Sequence, residues 1–566
     1  SVMAALPYPG AWLADAWFRF LVHQFHDDLT GTSIPEVYPF SWNDVRIAQV
    51  RFGTALAAAV GAIAAGMDTT AEGVPLVVFN ATAHDRQDVV EARVRFPDPA
   101  PAFVRVYDAA GDEVPAQVLG THDGAVDVAF LAAVPPVGFA VFDARPADAP
   151  CSIATGLSVT ASSLQNTRYR VAIDANGDVS SVFDQSANRE ILSGPVRLAQ
   201  YDSYAITFPA WEIPWENIQA GVREYVEGPA EVRVVEDGPA RVAVEIRRTY
   251  GSDFGDSTYV LRVRLAAGGA ADRVEWDASI DWATRATLLK VEFPFAATAP
   301  GATYDLGLGS IRRPNASATL YEVPAQQWAD VTADDGSYGA SVLSYDKTGW
   351  HKADDARLYL SLVHTPMLPT HNQDTNDLGF QRTAWALHGH EGPRSAGTVE
   401  QAERFGQPLL AFQTVAHAGG LGRSVAFAAA VEPGVSVRAL KQAEESDEVI
   451  VRVQETSGIA HAGVKVRVGP SGIAQAREVF GDEQPRGEAA VADGALVTDL
   501  GPFQLRSFAV RLAGGVPAID PPASRAVDLP FDTDVASFNE ARTDGAFDPA
   551  TGIAWAAEQL PEWLDV

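Results

Sequence analysis

Val242-Ala243-Val244-Glu245-Ile246-Arg247-Arg248-Thr249-Tyr250 reads as a β-strand, and Tyr259 to Leu265 repeats the texture after a short polar break. The same alternation of Val, Phe, Tyr and Thr runs from about residue 70 to about residue 515. Val89 to Phe96, Tyr169 to Ile173, Val232 to Val235, Leu358 to Val363 and Val449 to Gln454 are further instances. Between them lie turn sequences such as Ala175-Asn176-Gly177-Asp178, Ala110-Gly111-Asp112 and Ala333-Asp334-Asp335-Gly336, which suit hairpin connections. Strands recurring about every eight to twelve residues, without helical patterns between them, predict antiparallel sandwiches and not a parallel α/β sheet.

The N-terminal stretch has a different texture. From Ala11 to about Leu29, the residues Trp12, Leu13, Trp17, Phe18, Phe20, Leu21, Phe25 and Leu29 recur without Pro or Gly. The pattern predicts a helix buried around most of its circumference. A second helix is expected from Asn43 to Ala65, capped by Asn43 or Ser41 and stopped at Gly66, with a proline-bounded loop from Pro35 to Pro39 before it. The tail from Pro517 reads as an extended wrapping segment ending in a short helix near Trp555. The division that follows is 1–72 for helices, 73–150 for a small β-sandwich, 151–425 for a large β domain, and 426–566 for a C-terminal sandwich with its tail.

Length and composition agree with a multidomain globular chain. At roughly 150 residues per domain, 566 residues suggest three or four domains, and 47% hydrophobic against 20% charged residues lies outside the disordered regime. The net charge of −31 repels phosphate backbones and anionic lipid, so no nucleic-acid or membrane partner is expected. The longest membrane-span candidate, Ala55 to Ala65, is short and interrupted by Gly61. Cys151 is the single cysteine, so any metal must be held by His, Asp or Glu. Five lysines against 37 arginines, with that lone cysteine, fit a bacterial cytoplasmic protein.

The most informative stretch is His23-Gln24-Phe25-His26-Asp27-Asp28-Leu29-Thr30-Gly31-Thr32-Ser33. At about 100° per residue, Asp15, Arg19, His23 and His26 share one wedge of a helix, with Asp27 at its edge. Buried imidazoles and carboxylates must be paired or bound to a cation. Two readings stay open: a satisfied polar network between helices, or His26 as a metal ligand with Asp27 accepting hydrogen bonds from a polar ligand. His388-Gly389-His390 places two imidazoles on one strand face, which suits either metal binding or exposed edge histidines. The same holds for His122-Asp123 and His84-Asp85. Trp211-Glu212-Ile213-Pro214-Trp215-Glu216 could form a sugar platform or the core and rim of a sandwich. No G-x-S-x-G elbow and no glycine-rich phosphate loop occurs.

His23 to Ile34, HQFHDDLTGTSI, resembles the QFHD-x-L-x-G-[ST]-S-I signature of glycoside hydrolase family 38, the α-mannosidases. The resemblance continues in chain order through Val78-Phe79-Asn80, Asn166-Thr167-Arg168-Tyr169, Val182-Phe183-Asp184, Asp281-Trp282 and Leu288 to Pro294, then Tyr321 to Asp330, Tyr338-Gly339 and Leu440-Lys441. It implies a mainly β chain: the end of a helical bundle followed by several antiparallel β-sandwich domains, with a mutarotase-like supersandwich in the middle. It further implies a retaining glycosidase in which an Asp nucleophile forms a covalent glycosyl intermediate and a second carboxylic acid protonates the leaving oxygen. In that scheme a zinc ion binds sugar hydroxyls, His26 would be a zinc ligand, and Asp27 would hydrogen-bond the sugar at the metal.

Departures from the family pattern qualify this. The family's H-x-D zinc pair, nucleophile and acid have no match; His26-Asp27-Asp28 reads H-x-D only within the helical motif itself. No catalytic residue is therefore expected in this chain, and the zinc ion would be completed by ligands outside it. Asp28 stands where a hydrophobic residue is common, which should perturb packing slightly. Asp374, Asp377 and Gly379 resemble a D-x-x-D-x-G loop, but Gln381 replaces a frequent His and no chemical role follows. The expected partners are an α-mannoside and an N-terminal catalytic domain or chain, with a homo-oligomer allowed. The alternative is a stand-alone, non-catalytic carbohydrate-binding or scaffolding β-sandwich protein.

Overall fold

The computed structural model describes residues 8–514, except 98, 206, 253–254, 368–376, 395 and 431. The expected tail from Pro517, its helix near Trp555, and Asp374 lie outside the described residues. The chain divides into a helical unit that reaches Met67 and a β unit from Asp68 to Gly515.

In the helical unit, α1 spans Gly10–Val22 and α2 spans Tyr38–Ala64. The second helix starts earlier than expected because Pro35–Val37 already forms a 3-10 turn and Pro39 occupies the first turn of α2, where a missing N–H costs nothing. By length and composition alone, α2 is long and apolar enough to cross a membrane, longer than the Ala55 to Ala65 run singled out in the sequence. Within the unit, its Asp44 and Arg51 form ion pairs with α1, and Ile47, Val50, Val60 and Ile63 are buried.

The predicted all-round burial of α1 is also corrected. Only Ala16 is buried there, while Trp12, Trp17, Phe18 and Leu21 are exposed, as are Phe25 and Leu29 after it.

The β unit is mainly antiparallel sheet, as the alternation requires. Val74–Asn80 pairs with Gly138–Ala147 to start a first sandwich, whose other sheet is Arg86–Val94, Ala125–Val134 and Ala116–His122. Its first sheet is completed by Leu410–Gln413 and Ser424–Ala426, more than 250 residues later in the chain. The central region holds a five-stranded, a six-stranded and a nine-stranded sheet around one large apolar core. Arg241–Ser252 and Gly255–Ala266 form the long hairpin that the opening stretch predicted, registered from Arg241 opposite Ala266. Trp276 faces Trp385 across the nine-stranded sheet, both buried. Residues 428–512 form a last sandwich of four-stranded and five-stranded sheets.

Gly177 illustrates a turn fixed by chemistry. Its φ of +81° is a left-handed value, and a Cβ there would lie 2.7 Å from the side chains of both Ala230 and Ile246, so only glycine fits.

Candidate functional site

The polar wedge predicted on the first helix splits in two. α1 stops at Val22, and residues after His23 continue as turns, so His26 and Asp27 do not lie on the helix as expected. Asp15, Arg19 and His23 do stay aligned, and they are fully engaged. Arg19 donates to Asp15 at 2.9 Å and to Asp44 at 2.6 Å, and Arg51 also pairs with Asp15. His23 Nδ1 lies 2.6 Å from Asp28 Oδ2 and its Nε2 lies 3.2 Å from Asp44, while Ser41 Oγ donates to Asp28 at 2.7 Å. This is the satisfied network between helices. Asp28, expected to disturb packing, instead completes it.

His26 and Asp27 stand outside that network. The turn holding them is built by the Thr30-Gly31-Thr32-Ser33 run. Gly31 adopts a φ of +76°, which turns the chain so that the amides of Thr32 and Ser33 donate back to the Asp27 carbonyl at 3.0 and 2.7 Å. Thr32 Oγ1 lies 3.2 Å from Asp27 Oδ1, and Tyr38 ties in from α2 by accepting from the Ser33 amide at 2.9 Å. The backbone at Asp27 is thus fixed, and its neighbour is open. The His26 side chain is 77% exposed, its ring lies against Phe25, and its Nε2 is 3.3 Å from Asp27 Oδ2.

An exposed imidazole beside a carboxylate is suitable donor chemistry for zinc, but a tight site takes three or four ligands. Among the described residues no group of three or more His, Cys, Asp or Glu side chains could hold a metal ion. His26 and Asp27 offer one imidazole and one carboxylate, a donor set compatible with zinc but short of a complete site.

The other sequence candidates take structural places. His388 and His390 are neither edge residues nor metal ligands waiting on a surface. They sit buried in Gly379–Glu391, an interior strand of the nine-stranded sheet. His390 Nε2 lies 2.7 Å from Asp330, and His388 Nδ1 lies 2.8 Å from the Asp272 carbonyl. Burial lowers the His388 pKa to about 4. The glycine between them is required, because a Cβ at Gly389 would sit 2.2 Å from the Tyr338 hydroxyl. His84 pairs with Glu403 at 3.0 Å, and His122 with the adjacent Asp123 at 3.2 Å.

Several residues of the resembling motifs converge on that strand. Arg168 forms ion pairs with Asp272 at 2.9 Å and Asp184 at 3.3 Å and also donates to the Gly389 carbonyl. Tyr338 donates to Asp184 at 3.0 Å, and Tyr169 accepts from the Gly389 amide at 3.0 Å. Burial pushes the Asp184 carboxyl up, but hydrogen bonds from Ser186, Ala187 and Tyr338 and the charge of Arg168 outweigh it and hold it below the usual range. The arrangement is a strut joining the five-stranded and nine-stranded sheets.

A second polar cluster escaped sequence analysis. Lys290 is buried in the six-stranded sheet, paired with Glu322 and donating to Ser361 at 3.1 Å, and burial carries its pKa well below the usual lysine value. Its ammonium lies 5.3 Å from the Tyr201 ring, and His351 and Tyr359 pack beside that tyrosine. Burial and the charge of Lys290 lower the His351 pKa to about 3. Lys290 and Glu322 lie within the resembling runs Leu288 to Pro294 and Tyr321 to Asp330, but no local pattern separates that lysine from a surface lysine or pairs it with the glutamate.

Residues 164–372 match the glycosyl hydrolases family 38 C-terminal domain, and residues 434–508 match the glycosyl hydrolases family 38 C-terminal beta sandwich domain. Alpha-mannosidase 2C1 of Mus musculus is 27% identical over 535 residues, covering 88% of this chain and 46% of that protein. Alpha-mannosidase G of Dictyostelium discoideum is 24% identical over 307 residues, covering 52% of this chain and 27% of that protein. The chain thus spans about half the length, or less, of these curated relatives. Among solved structures, an alpha-mannosidase from Enterococcus faecalis V583 superposes with a TM-score of 0.74 at 16% identity, covering 89% of this chain and 64% of that one. That likeness is one of fold.

Proposed function

Because the chain belongs to glycosyl hydrolase family 38 and carries its C-terminal domains, we propose that it is the C-terminal part of a retaining, zinc-dependent α-mannosidase acting on terminal α-linked mannose. The nucleophile and acid lie outside this chain in this reading, which supplies one metal ligand, one sugar contact and the β scaffold. The observation that carries it is the turn at His26 and Asp27. It presents an exposed imidazole beside a carboxylate, on a backbone whose Asp27 carbonyl accepts from the amides of Thr32 and Ser33.

Zinc, when bound, would supply a cation for sugar hydroxyls. The chain's own part is positioning: Gly31, Thr32 and Ser33 set the direction of the Asp27 backbone, and Thr32 Oγ1 restrains its carboxylate. Asp27 Oδ2, on the side of His26, would accept from a sugar hydroxyl in this reading. The exposed apolar side chains of α1 support the reading too, since contiguous apolar surface marks an interaction site, here for the catalytic domain.

The test is hydrolysis of a nitrophenyl α-D-mannoside by this chain combined with its N-terminal partner, with zinc content measured alongside. His26→Ala should lose both bound zinc and activity, and Asp27→Asn should lose activity while retaining part of the zinc. Full activity in His26→Ala would overturn the assignment.

A further inference from the structure

The Trp-rich segment that could have been sandwich core turns outward in its first half. Phe208-Pro209-Ala210-Trp211 forms a tight turn in which the amides of Trp211 and Glu212 both donate to the Phe208 carbonyl, each at 2.9 Å. Phe208 itself has a φ of +51°, a left-handed value rare for a bulky side chain and costly unless the surroundings impose it. The second half is anchored to the fold. Tyr321 donates its hydroxyl to the Ile213 carbonyl at 2.8 Å, and Trp215 packs on the Tyr321 ring with centroids 5.2 Å apart. Pro214 then opens the short helix α3, Trp215–Ala220, whose Ile218 is buried.

This anchored segment displays two aromatic rings. Phe208 is 61% exposed and Trp211 59%, and their rings stack with centroids 5.4 Å apart and planes 22° apart. Glu212 and Glu216 stand exposed beside them. Phe208 keeps a left-handed backbone while both stacked rings stay more than half exposed, and aromatic faces held in solvent on a strained backbone mark a candidate functional surface.

We propose that Phe208 and Trp211 form a carbohydrate-binding platform that stacks on the C–H face of a pyranose ring, with Glu212 accepting from its hydroxyls. A neutral, hydroxyl-rich ligand fits where an anionic one does not, because the carboxylate rim and the net charge of −31 repel anions. A protein partner would need a broader apolar patch than two rings set among carboxylates. The choice of mannose as the sugar rests on the proposed function; the platform does not.

The experiment titrates methyl α-D-mannoside, with methyl α-D-glucoside and methyl α-D-galactoside in parallel, into the 566-residue chain. Saturation-transfer NMR and tryptophan fluorescence report binding, and no hydrolysis is required. Saturable binding should weaken by at least about fivefold, the order expected for one lost aromatic contact, in Trp211→Ala and in Phe208→Gly. In Phe208→Gly the thermal midpoint should hold or rise, since glycine accepts the left-handed backbone. Three results would overturn the platform: no saturable binding of any of the sugars, Trp211→Ala binding as tightly as the parent, or Trp211→Ala dissociating a dimer, which would make the rings a self-association surface. Binding of glucoside or galactoside but not mannoside would leave the platform standing and count against the mannosidase reading alone.

Discussion

The Arg168 strut and the His26 turn both draw on residues of one ordered set of motifs, yet they differ in completion. In the strut every charge has its partner inside the chain: Arg168 meets Asp184 and Asp272, Tyr338 meets Asp184, and His390 meets Asp330. In the turn the backbone is saturated while the His26 ring faces solvent. Membership in a motif therefore does not mark a residue as chemical. Whether its polar atoms are used up internally does, because a buried charge without a partner is too costly to keep and an exposed one is available to something else.

Breaking the strut should have the largest effect on stability. Arg168→Met leaves Asp184 buried without its counter-charge and should cost about 3–5 kcal/mol, read as a lower urea midpoint at unchanged slope. A loss under about 1 kcal/mol would mean that Asp184 is held by its other hydrogen bonds alone.

Acid should separate the regions next. His388 is neutral in the fold with a pKa near 4, below its ordinary value of 6.5, so the unfolded chain binds the proton first. Its stabilising contribution is complete above pH 6.5 and is lost as the pH falls toward 4, at up to about 1.4 kcal/mol per pH unit. His351, with a pKa near 3, extends the loss to lower pH. The carboxyls of Asp184 and Asp330, held below the usual range, add a further loss below about pH 4. Thermal unfolding followed from about pH 7.5 down to about pH 3 checks this, and His388→Gln should flatten the upper part of the profile.

Smaller effects fall on the helical unit. Asp28→Leu restores a hydrophobic residue but strips Ser41 and one face of His23 of their acceptor, and should destabilise by about 1–3 kcal/mol. If it stabilises instead, the network around His23 is dispensable. Gly31→Ala forces a side chain into the left-handed region at about 1 kcal/mol and should weaken zinc binding by misdirecting the Asp27 backbone. His26→Ala should be the mildest for folding, within about 0.5 kcal/mol of the parent, while abolishing activity of the assembled enzyme. That pairing of a silent fold with a silent site sharpens the contrast with Arg168→Met most directly.

Much of the architecture could be read along the chain. Tyr169–Ile173 is a strand at the predicted bounds, and Arg241–Ser252 and Val449–Glu455 extend their predicted cores by a residue or two. The helical ends were harder, since α1 stops at Val22 although the apolar pattern runs to Leu29. Those later apolar residues, Phe25 and Leu29, are exposed, so an apolar run does not by itself record the length of a helix.

Local order along the chain carries the alternation that makes it a set of antiparallel sheets and the ordered motifs of its family. These are properties of residues close together in the chain, where side-chain period and backbone freedom act directly. Only the tertiary structure decided that His388 and His390 are buried beside partners 116 and 60 residues away, that Asp28 completes a network with Ser41 and His23, that Lys290 is buried against Glu322, and that Phe208 and Trp211 face outward. The physical reason is that burial and charge pairing depend on which distant strands come to lie side by side, and no local pattern records that.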